Sequence, residues 1–154
     1  EVKGRVIYDI YGSLEDTQYW QQCEEAISKL PENVMVNYRG VINHDAVPET
    51  LVGYHAYYMP TTGENFGHSI VESMLMGRPV VISDQTPWTD VNGQGGYAYA
   101  LNQKDAFIKA LNELCACNQT AFDQMSTRVK AYIEKKLNVQ AITNEYIAMF
   151  GGHN

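Results

Sequence analysis

The run Pro79-Val80-Val81-Ile82-Ser83 is apolar at successive positions, so a strand made from it has no face suited to water. Such a strand needs cover above and below, the situation of a parallel strand between two helical layers. The rest of the chain supplies the matching parts. Residues 5–12 (RVIYDIYG), 34–40 (VMVNYRG), 55–61 (HAYYMPT) and 96–101 (GYAYAL) carry the β-branched and aromatic content of further strands. Segments of helical period lie between them. In 13–30, Trp20, Cys23, Ile27 and Leu30 recur three to four apart before Pro31; 44–54 makes a shorter helix. After Gly67, residues Ile70, Val71, Met74 and Leu75 share one arc, and Gly77 with Pro79 ends the helix. Ser13, with Asp16 three residues on, is the candidate cap of the first helix, and Asp45 that of the second. The remainder reads as helix: a segment with Phe107, Ile108, Leu111 and Leu114, then 120–137, then 139–150. Strands alternating with helices predict a Rossmann-like, doubly wound α/β fold, with about five mainly parallel strands and helices on both faces.

At 154 residues the chain suffices for a single domain over 1–154. A formal charge of −7 argues against a nucleic-acid surface. No apolar run approaches the ~20 residues of a transmembrane segment. Three cysteines make no disulfide framework, and Cys115-Ala116-Cys117 lacks companion ligands for zinc, so a cytoplasmic setting is expected. In that setting the sequon Asn118-Gln119-Thr120 carries no weight. The chain begins at Glu1 and enters an apolar run within a few residues, which reads as a piece of something longer.

Open α/β sheets bind ligands in the crevice beyond the carboxyl ends of their strands. Four stretches fall there: Gly12-Ser13, Arg39-Gly40-Val41, Thr61 to Gly67, and Asp84 to Trp88. The third leads into ENFGHSIVE (64–72), where Phe66-Gly67 opens a helix. The first helical turn leaves backbone amides without intrahelical partners and carries roughly half a positive charge. A glycine there lets an anion come close, and a phosphate or diphosphate is the natural occupant. His68 in that turn is suited to donate from a neutral ring, and Ser69 adds a hydroxyl. Glu72 lies one turn on, at the margin of the apolar arc, where an ionised carboxylate needs donors. The vicinal hydroxyls of a ribose or hexose supply them. Glu64 precedes the helix, facing the reacting end of such a ligand. Plainer readings stand beside these: Gly67 as a simple turn, His68 as an ordinary helix-start residue, Glu72 paired with Arg78, and Trp88 as packing first and a sugar or base contact second.

The run MPTTGENFGHSIVESMLMGRPVVISDQTPWTDV (59–91) resembles the signature of retaining glycosyltransferases with the GT-B fold, the large group 1 family. Its marks are a Pro-Ser/Thr, an E-x-F-G loop, an E-x7-E pair, a small-residue helix end and P-V-V-x-S/T. VIYDIYG resembles the family's strand before a glycine loop, and VNYRGVI its F-x-G-x-V segment, so the likeness covers essentially the whole chain. It implies the C-terminal, donor-binding domain of such an enzyme, moving a hexosyl group from a nucleoside-diphosphate sugar to a glycan or lipid-linked acceptor. By that likeness Glu72 holds the ribose hydroxyls, and Glu64 orients the donor sugar or stabilises charge at its anomeric centre. Amides from Asn65 through Phe66, Gly67 and His68 to Ser69 hold the diphosphate. Val41, after Arg39-Gly40, meets the base through its main chain, and Gly12 leaves room for the donor. No metal or other cofactor is implied, and no D-x-D pair is present; helix-start amides and basic side chains take the cation's place.

The chain departs from the family in lacking a first strand and helix with a G-R-x4-K motif, and the N-terminal acceptor domain. In place of G-G-x-P-E it has Asp84-Gln85-Thr86-Pro87-Trp88. The chain alone is therefore expected to transfer no sugar. If the omitted strand sits centrally, the five that remain close the gap or borrow a strand from a neighbouring molecule. Polysaccharide assembly in the cytoplasm, peripheral to the inner membrane, is the setting the resemblance suggests. Two other readings are a GT-B-type sugar-nucleotide epimerase and a non-catalytic flavodoxin-like module. The latter calls for an acidic cluster at the end of the first strand, whereas Asp9 lies inside its strand.

Overall fold

The computed structural model of the chain describes residues 1–138. The helix expected over 139–150 lies outside them. Strand β1 (Val6–Tyr11) pairs in parallel with β2 (Val34–Gly40), Val6 opposite Val34, with one irregularity between Ile10 and Tyr11. Strands β3 (Tyr57–Met59), β4 (Val80–Ser83) and β5 (Tyr97–Tyr99) form a second parallel sheet with β4 in the centre. Between and after them come α1 (Thr17–Ile27), α2 (Val47–Val52), α3 (His68–Leu75), α4 (Lys104–Ala116) and α5 (Gln119–Lys136). The α/β class and the five strands are as expected; their division into two sheets differs from the single sheet pictured. β1 and β3, the neighbours at the division, share no ladder. Side chains bridge them instead. The Tyr8 hydroxyl donates to the Tyr58 carbonyl at 3.3 Å, and the two rings meet edge to face at 5.6 Å. Burial pushes the Tyr8 phenol up to about 12, so it stays a donor.

The apolar run on β4 has the two-sided cover its sequence demands. Val80 and Ile82 pack with Ile70, Val71 and Met74 of α3 and with Val129 and Ile133 of α5. Val81 points the other way, against Phe107 and Ala110 of α4. All the buried hydrophobic residues among those described lie at Ile70 or beyond. The first half is thinner. Helix α1 buries no residue, and Ile7 and Met35, register partners on one face of β1–β2, are 50% and 49% exposed.

Two caps differ from expectation. Asp16, not Ser13, caps α1, accepting from the Tyr19 amide at 2.9 Å, while the Ser13 hydroxyl turns to Glu15. Asp45 caps nothing: residues His44–Ala46 form a 3-10 turn, and α2 starts after it with Pro48 in its first turn and no side-chain cap. Asn118, first residue of the sequon, is the cap of α5, accepting from the Ala121 amide at 2.9 Å.

The uneven burial fixes an order of opening. Amides of β4 are expected to show the slowest hydrogen exchange in the chain, and those of β1 and β2 to exchange orders of magnitude faster; equal protection in both sheets, read by exchange mass spectrometry or NMR, contradicts this division.

Candidate functional site

The first turn of α3 is built from a glycine. Gly67 occupies the N-cap position in the left-handed region (φ 75°, ψ 62°), and no side chain caps the helix. The amides of that turn therefore have no intrahelical carbonyl to meet and point out of the helix end. Gly67 is itself buried: a β-carbon there falls 2.8 Å from Ile70 Cδ1 and 3.1 Å from Glu64 Cγ. The glycine thus serves the turn and lets the stem of Glu64 lie against it.

The loop before α3 is tied to the loop after β4. The Ser83 hydroxyl donates to the Thr61 carbonyl at 2.5 Å, and the Glu64 amide to the Gln85 carbonyl at 3.0 Å. Trp88 Nε1 donates to the Phe66 carbonyl at 2.7 Å, with the two rings edge to face at 5.7 Å. Trp88 is buried, so packing is what the structure shows of it. Phe66 remains 40% exposed, with the exposed His68 ring tilted against it at 4.9 Å. Asn65 is exposed beside them.

Tyr57, on β3, donates to Ser69 Oγ at 2.8 Å, leaving the Ser69 proton for another acceptor. Burial pushes the Tyr57 phenol up, and the charges of Glu64 and Glu72 push it further, against the lowering effect of Ser69. Glu64 is half-buried and accepts from the Phe66 amide at 3.4 Å. Glu72 does not pair with Arg78, whose Nε and Nη1 donate to the Met76 and Tyr54 carbonyls at 3.0 and 2.9 Å. Its neighbour is His44, with Nδ1 3.5 Å from Oε1. Sequence reasoning missed both Tyr57 and His44. A tyrosine in an aromatic strand and a histidine at a helix start carry no periodic signal.

The other predicted residues gather at the ends of β1 and β2. The Gly12 amide donates to the Gly40 carbonyl at 3.0 Å, and Gly40 takes a φ of 78° that turns the chain out of β2. Val41 follows, 74% exposed. Arg39 is committed elsewhere: its Nε lies 3.0 Å from Asp9 Oδ2, and the Asp9 side chain is only 6% exposed. Asn37 Nδ2 (2.7 Å) and the Tyr54 hydroxyl (2.6 Å) complete the set of donors to Asp9. Burial alone would push the Asp9 carboxyl up, but Tyr54, Asn37 and Arg39 together hold it below the ordinary aspartate value. Tyr54 precedes β3, so this buried carboxylate joins the two sheets.

The site thus sits on a Rossmann-like unit, at a glycine-started helix with Glu64 before it and Glu72 within it. The model of the family described as Glycosyl transferases group 1 matches residues 2–117, and the chain belongs to that family. No curated protein matches it. Among solved structures it is similar to Anabaena Alr3699/HepE in complex with UDP-glucose, with a TM-score of 0.74 and 16% identity over 98% of this chain and 50% of that one. It is similar to S. aureus TarM, solved with UDP among its ligands (TM-score 0.68, 16% identity, 92% and 28% covered). It is also similar to sucrose-phosphate synthase from Thermosynechococcus elongatus (TM-score 0.66, 18% identity, 97% and 39% covered). The chain thus spans about half the length of HepE, and less of the other two.

Two outcomes are expected from these contacts. Gly67→Ala combines left-handed strain with the clash at Ile70 and should cost about 1–3 kcal/mol in denaturant unfolding; a neutral effect would mean the turn relaxes freely. Asp9 gives a pH signature. Its folded value is depressed, so its contribution is complete above the unfolded value near about 3.9 and is lost as pH falls through the lower folded value. Asp9→Ala should lower stability at neutral pH and flatten the wild-type loss below about pH 4; parallel pH profiles of thermal unfolding contradict the assignment.

Proposed function

We propose that this chain is the donor-binding part of a retaining glycosyltransferase that transfers a hexosyl group from a nucleoside-diphosphate sugar to a glycan or lipid-linked acceptor. The observation that carries the reading is the uncapped, glycine-started first turn of α3, with Ser69 in that turn held by Tyr57 and the Glu72 carboxylate one turn on. An uncapped helix start binds the diphosphate through the amides of Asn65 to Ser69. Glu72, one turn on, accepts from the ribose hydroxyls, and Glu64 stands on the opposite side, towards the transferred sugar. Val41 presents main-chain groups to the base, while Gly12 leaves open space. Departure of the diphosphate is helped by fixed dipoles already aimed at it, with no metal called for. Family membership supports this assignment of roles. So do the UDP-glucose and UDP in the HepE and TarM structures.

The acceptor side belongs, on this reading, to an N-terminal domain of a longer polypeptide. A further strand between β1 and β3, with its helix, accounts for the divided sheet and the sparse burial of the first half. A cytoplasmic protein, peripheral at the inner membrane, fits the same reading; no described helix is long and apolar enough to cross a membrane.

The test is a thermal-shift and calorimetric screen with UDP, GDP, ADP and CMP. One diphosphate is expected to stabilise the chain selectively, by about 2.7 kcal/mol at 100-fold excess over its Kd. Glu72→Ala should remove that shift while leaving the unliganded melting temperature within a few degrees. No selective shift, or a shift that survives Glu72→Ala, overturns the reading.

A further inference from the structure

The connection from β2 to α2 passes from Val41 to the 3-10 turn His44–Ala46, and so brings an imidazole to the carboxylate of α3. His44 Nδ1 lies 3.5 Å from Glu72 Oε1, beyond the length of a good N–H···O bond. The two groups face each other without closing on one another. The His44 side chain is 83% exposed, that of Glu72 25%, so the space beside the pair is open to a ligand. An ionised carboxylate only accepts, whereas a neutral imidazole with its proton on Nδ1 donates there. A hydroxyl set against both donates a hydrogen bond to Glu72 and accepts one from His44. A carboxylate alone reads a hydroxyl once; the pair reads it twice.

We propose that His44 is a specificity-determining residue of the donor site. With Glu72 it forms a two-sided clamp on one hydroxyl of the ribose, which sets a preference for ribonucleoside over deoxyribonucleoside diphosphates. The inference rests on the donor reading above and adds a residue to it. Its position agrees: His44 lies three residues beyond Val41, on the turn between the main chain assigned to the base and the acid assigned to the ribose. The clamp also spans the division of the fold, since His44 follows β2 of one sheet and Glu72 rides on α3 beside the other.

Calorimetric titration with UDP, 2′-deoxy-UDP and 3′-deoxy-UDP, and with the same triplets built on guanosine and adenosine, tests it. The wild-type chain should bind the ribose form of one triplet more tightly than one of its deoxy forms, by roughly three- to tenfold for the clamp's share. His44→Ala should weaken the ribose form by that factor and leave the deoxy form unchanged, so that the preference shrinks. His44→Asn, which keeps a donor, should restore part of it. Equal weakening of ribose and deoxy forms by His44→Ala, or an unchanged preference, overturns the assignment. A wild-type chain that binds a diphosphate in a Glu72-dependent way but ignores His44→Ala refutes the clamp alone. A wild-type chain that binds none of the nine refutes the donor reading as well.

Discussion

On the proposed reading the amides at the start of α3 face an anion, so other groups have to hold the loop ahead of them. Here the neighbouring crossover does so. Three contacts tie 61–66 to 83–88: Ser83 to the Thr61 carbonyl, the Glu64 amide to the Gln85 carbonyl, and Trp88 to the Phe66 carbonyl. Two of these use carbonyls of the site loop, and the third uses an amide ahead of α3. The amides of His68 and Ser69 stay outside the scheme. Burial of β4 on both faces makes the arrangement rigid, because Ser83 is the last residue of the best-packed strand. The site is thus positioned by the most stable part of the molecule.

The opposite wall of the crevice has a weaker foundation. β1 and β2 carry Gly12, Gly40 and Val41, yet they belong to the sheet without a buried core. Their orientation relies on polar and aromatic contacts across the division: the Asp9 carboxylate with Tyr54, Tyr8 against Tyr58, and His44 facing Glu72. A buried carboxylate is costly to desolvate, its donors offset that cost, and removing one of them is strongly destabilising. It therefore fixes geometry where apolar burial is sparse. The Tyr11 and Tyr54 hydroxyls, 2.9 Å apart, extend this network to the end of β1.

Much of this was legible in the sequence because it depends on period and punctuation. The two-sided apolar run of β4, the arc of Ile70, Val71 and Met74, and the stop at Gly77 all signal through spacing, and each forms where expected. The group 1 signature was readable for the same reason, since its glycines and acids sit at fixed offsets. What escaped depends on contacts between distant segments. Asp16 and Ser13 are equally good caps by composition, and the helix start alone decides between them. Arg39 reads as part of the donor-binding stretch with Gly40 and Val41 until its long-range partner Asp9 is seen. Trp88 reads as either wall or ligand contact until its indole N–H is found on the Phe66 carbonyl. The division of the sheet is a matter of which strands meet, and no local pattern encodes that.

The placement of charge bears on how a diphosphate is held. The chain carries a formal charge of −7, and two of its acids, Glu64 and Glu72, flank the start of α3 in sequence. The arginines of the flanking elements are already engaged, Arg39 by Asp9 and Arg78 by two carbonyls and the face of Phe122. On the proposed reading, what these elements offer the phosphates is the end of α3, worth roughly half a unit of positive charge. That is too little to balance a diphosphate carrying two or three negative charges. Recognition at this wall must then come from directed hydrogen bonds, amides to phosphate oxygens and carboxylates to sugar hydroxyls, rather than from net attraction. Such bonds discriminate well and bind modestly. On the proposed reading, the dipole at the start of α3 assists departure of the leaving group, and cations from other polypeptide would add to both binding and departure.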